Sequence, residues 1–199
     1  MFARNDRVAR HRCMLEIPDD RCERHRLFKA IDDAFKAGDL EALKTALGNS
    51  PRWFDETMPS EFGLGHPLEY AIYWSPPDFI ETLIALGSNV NYEDHAGFPA
   101  LIAALSTDRH GRGDRLDVVK LLLRHGAQMT RGLNDWTPLH YAASTRDLDG
   151  LRLLLEAGAD PTIRTRIDDH TTPLEEAEAA GFAEGAALLR QAMADRHGD

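Results

Sequence analysis

Short apolar clusters at helical spacing recur along the chain, each closed by a glycine. Leu139, Ala142 and Ala143 fall on one helical face, a leucine followed by two small residues that let a neighbouring helix approach closely. A second helix is predicted over Leu151-Arg152-Leu153-Leu154-Leu155, with its leucines, Leu153 among them, in the core. Gly158 follows and suits the left-handed residue that ends a helix. The same ending is written at Ala85-Leu86-Gly87 and Arg124-His125-Gly126. The pattern returns at near-regular spacing: Leu68 and Leu101 stand 33 positions apart, Leu101 and Leu139 stand 38 apart, and Leu139 and Leu174 stand 35 apart. A period of that size predicts stacked two-helix units, because neither short helix can bury its apolar face alone.

The helix starts are written just as regularly. Thr137 supplies a hydroxyl cap and Pro138 sits at the first helical position, where its missing N–H costs nothing. Thr172-Pro173-Leu174-Glu175 is a full capping box. Degraded copies read His66-Pro67-Leu68-Glu69 and Pro99-Ala100-Leu101-Ile102. His140 therefore shares its slot with Glu69, Ile102 and Glu175, which marks the slot as structural rather than catalytic.

The segment from Thr137 to Asp160 resembles the ankyrin repeat: a Thr-Pro-Leu-His start, an Ala-Ala pair, a leucine-rich second helix and a closing Gly158-Ala159-Asp160. The third unit keeps Asp117-Val118-Val119-Lys120-Leu121-Leu122-Leu123 and Gly126-Ala127 but departs at Pro99-Ala100. The resemblance covers roughly residues 28 to 192. It implies an all-α solenoid of stacked helix-turn-helix units joined by β-turn or hairpin loops. It also implies a non-catalytic protein-interaction module (adaptor, inhibitor or accessory protein) that binds its partner through the concave face.

The expected domains are an Arg-rich, poorly ordered arm over residues 1–26 and a repeat domain over 27–199. Within the latter fall an N-terminal cap at 28–48, repeats at about 64–92, 97–130 and 135–163, and a C-terminal cap at 170–194. Three connections are long. Asn49 to Gly65 carries Trp53, Phe54 and Phe62 and is expected to fold back onto the stack. Residues 106–115 lengthen the third unit between its helices, and Thr162 to Thr171 extends the turn after the fourth.

Charge refines the partner. The 199 residues carry a formal charge of −10. The arm holds seven Arg against five Asp or Glu, a balance of +2, so the remaining 173 residues carry −12. An acidic array repels phosphate backbones, which points away from nucleic acid; the acidity either keeps an exposed array soluble or suits a protein partner with a basic patch. No apolar stretch reaches transmembrane length, and no apolar run follows the first positive charges. Those features predict a cytoplasmic protein, monomeric by itself, with no membrane contact.

Catalysis has no candidate residue. His11, Cys13, Cys22 and His25 are nominal ligands, and a metal-dependent hydrolase built on them is the alternative function. Their spacing matches no common zinc pattern, so neither metal nor other cofactor is expected. The adjacent pairs Asp32-Asp33 and Glu175-Glu176 cannot share a helical face, so they make poor acid–base dyads. Arg112-Gly113-Asp114, an integrin-type tripeptide, is read as coincidence.

The resemblance places partner-binding residues in the slots the pattern leaves free. Phe98 and Trp136 precede the motif at hairpin tips, and Tyr73 and Trp74 occupy the end of a first helix. His95, Asn134 and Asp135 would supply a polar rim. The four aromatics are expected on one side of the stack, where exposed rings serve as interface anchors.

Overall fold

The structure, a computed structural model, describes residues 17–48, 54, 58, 65–92, 98–129, 135–166 and 170–196. Ten α-helices and no strand are found among them. They come in five pairs: α1 (Arg21–Ala37) with α2 (Leu40–Ala46), α3 (Pro67–Trp74) with α4 (Pro77–Ala85), α5 (Ala100–Ser106) with α6 (Arg115–Arg124), α7 (Pro138–Ser144) with α8 (Leu148–Glu156), and α9 (Pro173–Ala179) with α10 (Ala183–Arg196). Between units, first helices pack on first helices from α1 through α9, and α4, α6, α8 and α10 pack in a second row. The core lies between the rows, where Phe35, Leu68, Ile72, Leu101, Leu122 and Leu139 are buried.

The small-residue slot sets the spacing of the first row. Ala71, Ala104, Ala142 and Ala177 occupy it in successive units, each 0% exposed, so no side chain props the helices apart. The helix starts form as written: Thr137 and Thr172 each close a capping box. His66 takes the same part in its unit, its Nδ1 accepting from the Leu68 N–H at 3.2 Å.

Two expectations change at the residue level. In α8, Leu151 and Leu154 take the buried positions while Leu153 is only half-buried. Consecutive residues sit 100° apart on a helix, so a leucine run cannot all face one way, and the i, i+3 pair wins the centre. At the N-terminus, Asp20 caps α1 by accepting from the N–H groups of Cys22 and Glu23, so the first helix begins inside the segment expected as the arm. Cys22 and His25 are exposed on that helix. His11 and Cys13 lie outside the described residues.

The described residues of two long connections pack on the stack. Phe54 packs on the core and its carbonyl accepts from the Ser88 hydroxyl at 2.5 Å; Met58 is buried. Trp53 and Phe62 lie outside the described residues. The 106–115 insertion continues α5 as a 3-10 turn over Thr107–His110 and closes at Gly111, whose φ of 74° is left-handed. Arg112 then turns into the stack, donating from Nη1 to the Ile72 carbonyl at 2.9 Å and pairing with Asp114 at 2.7 Å. The Arg-Gly-Asp tripeptide is thus paired with itself and capping α3. Arg115 grips Asp147 through both terminal nitrogens, at 2.5 and 2.8 Å, tying the third unit to the fourth.

Candidate interaction surface

The first-helix slot shared by Glu69 and His140 organises the surface. Glu69 Oε1 accepts from the Phe98 N–H at 2.9 Å, reaching from the second unit to the third. His140 Nε2 meets the Thr171 carbonyl at 3.0 Å, reaching from the fourth to the fifth. Glu175 accepts from the Thr172 N–H and pairs with Arg164 at 3.0 Å. In these three units the slot is structural, and its partners across units, Phe98 and Thr171, each lie two positions before the next first helix.

One of these bonds fixes a predicted aromatic. Phe98 is pinned through its backbone, and its ring, 42% exposed, meets Tyr141 edge-on at 6.4 Å. At the other end of the first helices Trp74, 41% exposed, packs against Tyr73 at 6.5 Å and His110 at 5.3 Å. Lys36 Nζ stands 5.5 Å above the Trp74 ring, a cation–π contact across the first two units. Tyr73 is half-buried, its hydroxyl 3.0 Å from that of Ser106, and burial pushes its phenol up from the usual value. Trp136 is also half-buried, tilted 6.4 Å from the His140 ring.

The structure therefore joins Tyr73 to Trp74 and sets Phe98 at the opposite end of the same row. Asp135 departs from its expected place on the rim. It is 1% exposed with φ 64°, and its carboxylate is turned inward onto the backbone N–H and Nε of Arg166. His95 and Asn134 lie outside the described residues. Three further groups belong to the surface: Lys36, His110 and Tyr141. Tyr141 was available from the repeat pattern, since it aligns with Tyr70; His110 comes from the insertion, whose path no repeat pattern specifies.

A groove of about 520 Å³ opens between the third and fourth units, lined by Tyr141, Ser144 and Thr145 of the fourth and by Asp108, Arg109 and Arg115 of the third. The chemistry here is contact chemistry. Asp32 and Asp33 diverge: Asp32 binds Lys36 and the Tyr70 hydroxyl, and Asp33 binds Lys29. Burial and the Asp32 carboxylate push the Tyr70 phenol well above its usual range.

Five stacked helix pairs with an ordered row of first helices define a solenoid of repeated units. The sequence pattern of ankyrin repeats in three copies matches residues 68–165 and 112–195, more than half of the chain, and the protein belongs to the ankyrin repeat family. Ankyrin repeats are protein-interaction modules. The chain is 41% identical over 78 residues to human BCL-6 corepressor-like protein 1, covering 39% of this chain and 4% of that one. It is 35% identical over 107 residues to a putative E3 ubiquitin-protein ligase of Arabidopsis thaliana, XBAT34, covering 52% and 27%. Human ankyrin repeat and SOCS box protein 11 is 30% identical over 132 residues, covering 66% and 38%. The chain spans well under half the length of each of these relatives. Among the described residues no helix is long and apolar enough to cross a membrane.

Proposed function

We propose that this protein is a non-catalytic adaptor, inhibitor or accessory module that docks a protein partner along its first-helix row, the concave side of an ankyrin array. The observation that carries the reading is the exposure of Trp74 and Phe98, 41% and 42%, on adjoining units; apart from Leu86, past the end of α4, the other large apolar side chains described in those units are buried or half-buried. Large rings left in water beside hydroxyls and a groove are what interface anchors look like before they are covered. Tyr73, half-buried, packs on Trp74, and Trp136, half-buried, lies beside His140. The formal charge of −10 favours a partner with a basic patch and an association rate that falls as salt rises. A cytoplasmic monomer fits this role. Ligase activity stays with the relative that bears that name, because the chain spans 27% of it.

The test is affinity capture from the native host with wild type and Trp74→Ala side by side, followed by titration of whichever protein is captured. Truncation of Trp74 is expected to weaken binding by about 2 kcal/mol or more with little change in thermal stability. Unchanged affinity for a partner that binds the wild type would remove Trp74, and with it this face, from the interface.

A further inference from the structure

The His140 ring is fully buried, 0% exposed, at the junction of the fourth and fifth units. Its partners assign its protons. Nε2 faces the Thr171 carbonyl, which can only accept, so Nε2 carries the hydrogen. Nδ1 lies 3.3 Å from the Thr137 backbone N–H, which can only donate, so Nδ1 is the bare nitrogen of the neutral ring; the Thr137 hydroxyl, 2.8 Å from it, can donate or accept. The neutral ring thereby bonds the cap of α7 to the residue that leads into α9. A second proton would sit on Nδ1, opposed by the Thr137 N–H and with the neutral Thr137 hydroxyl as acceptor, and would place a charge where water does not reach.

We propose that this junction is a pH-sensitive latch: acidification through the histidine range expels the His140 ring and loosens α9 and α10 from α7 and α8. Among the described residues, the charged groups packed around it do not supply the same response. On α9, Glu175 accepts from Thr172 and Arg164, and Glu176 accepts from the Thr171 hydroxyl at 2.6 Å. Asp135, before α7, is bonded to Arg166. Carboxylates titrate near 4, below the histidine range near 6.5. His170 is exposed and donates from Nδ1 to the Thr165 carbonyl at 3.1 Å, outside the buried junction. Packed on the other side, α5 has no charged side chain, and α8 carries Asp149, Arg152 and Glu156 on its exposed face. The sign follows from linkage. The open state binds the proton that the closed state refuses, so closure is fully favoured above the histidine range and is lost as pH falls through it. Trp136 lies beside the ring, so opening disturbs that part of the surface; this consequence rests on the proposed role of the strip, whereas the latch itself does not.

The test is amide hydrogen exchange on the full chain at pH 7.5 and pH 5.5, corrected for intrinsic exchange. Protection in α9 and α10 is expected to fall about tenfold per pH unit below the histidine range, while α3 and α4 change little. His140→Gln removes the response, since its amide oxygen can accept from Thr137 and its NH₂ can donate to Thr171. His170→Asn retains it. Equal protection at both pH values in the wild type, or an undiminished loss in His140→Gln, would overturn the latch. A second measurement needs no variant: nitrogen-15 resonances of the wild-type ring are expected to show a bare Nδ1 in the folded stack. A doubly protonated His140 inside a stack that keeps its protection at pH 5.5 also overturns it. Neither measurement involves a partner, so this outcome is separate from that of Trp74→Ala.

Discussion

Gly150 sits where three demands converge on one position in α8. A Cβ there would lie 2.3 Å from Asp147 Oδ2 and 3.0 Å from Leu105. The Asp147 carboxylate is already committed, accepting from the Gly150 N–H at 2.9 Å and from Arg115. Gly150→Ala gains about 1 kcal/mol of helix propensity in isolation. It also displaces the cap and its ion pair, so a net loss of about 1–3 kcal/mol is expected. The measurement is a lower urea midpoint with an unchanged slope. The surface residues follow the same logic of neighbours. Trp74 and Phe98 were legible because their slots in the repeat face outward. Asp135 was not, because a left-handed backbone turned its side chain onto Arg166, more than thirty positions away, and nothing local signals that partner.

Among the elements, the 106–115 insertion changes most between sequence and structure. In the sequence its length marks only an irregularity between the helices of the third unit. Instead Arg112 caps α3, His110 packs on Trp74, and Arg115 clamps Asp147. Side chains of Arg115 and Asp147 are 16% and 12% exposed, so their pairing is screened less than a surface bridge. Arg115→Ala is expected to cost about 1–3 kcal/mol, below the cost of breaking a fully buried pair because some solvent still reaches both groups. Amide exchange should rise in the 3-10 turn and at the start of α8 ahead of global unfolding. An insertion that exchanges at the wild-type rate after loss of Arg115 would show that the strut is held elsewhere.

For the whole molecule, stability depends on joints between units, since each contacts only its neighbours. Several joints and caps use carboxylates held below their usual range. Burial raises the Asp32 carboxyl, but hydrogen bonds from Lys36 and Tyr70 more than reverse it. Glu175 is lowered first by the Thr172 N–H and further by Arg164. Asp160 is raised by burial and then brought below its usual value by Thr162 and Arg196. A depressed carboxyl stabilises the fold above its unfolded value, and that contribution disappears as pH falls through the folded one. Acid unfolding is therefore expected to set in below about pH 4 as these groups protonate. Monitored by circular dichroism in urea, it should form a step distinct from any histidine-range loosening of the last unit. Stability unchanged from pH 5 to pH 2 would contradict it.

By itself the sequence determined the period, the helix starts and stops, the family and two exposed aromatics. All of these are local: a cap, a proline, a glycine or a leucine face acts within a turn or two of its own position. Tertiary structure alone decided that the insertion is a strut, that Asp135 is interior, that Leu154 rather than Leu153 is core, and that His140 joins two units with a neutral ring. Each of those depends on a partner about thirty positions away or on a face chosen by a neighbouring helix. Repetition makes the scaffold readable from one unit, whereas the contacts between units exist only once the stack has formed.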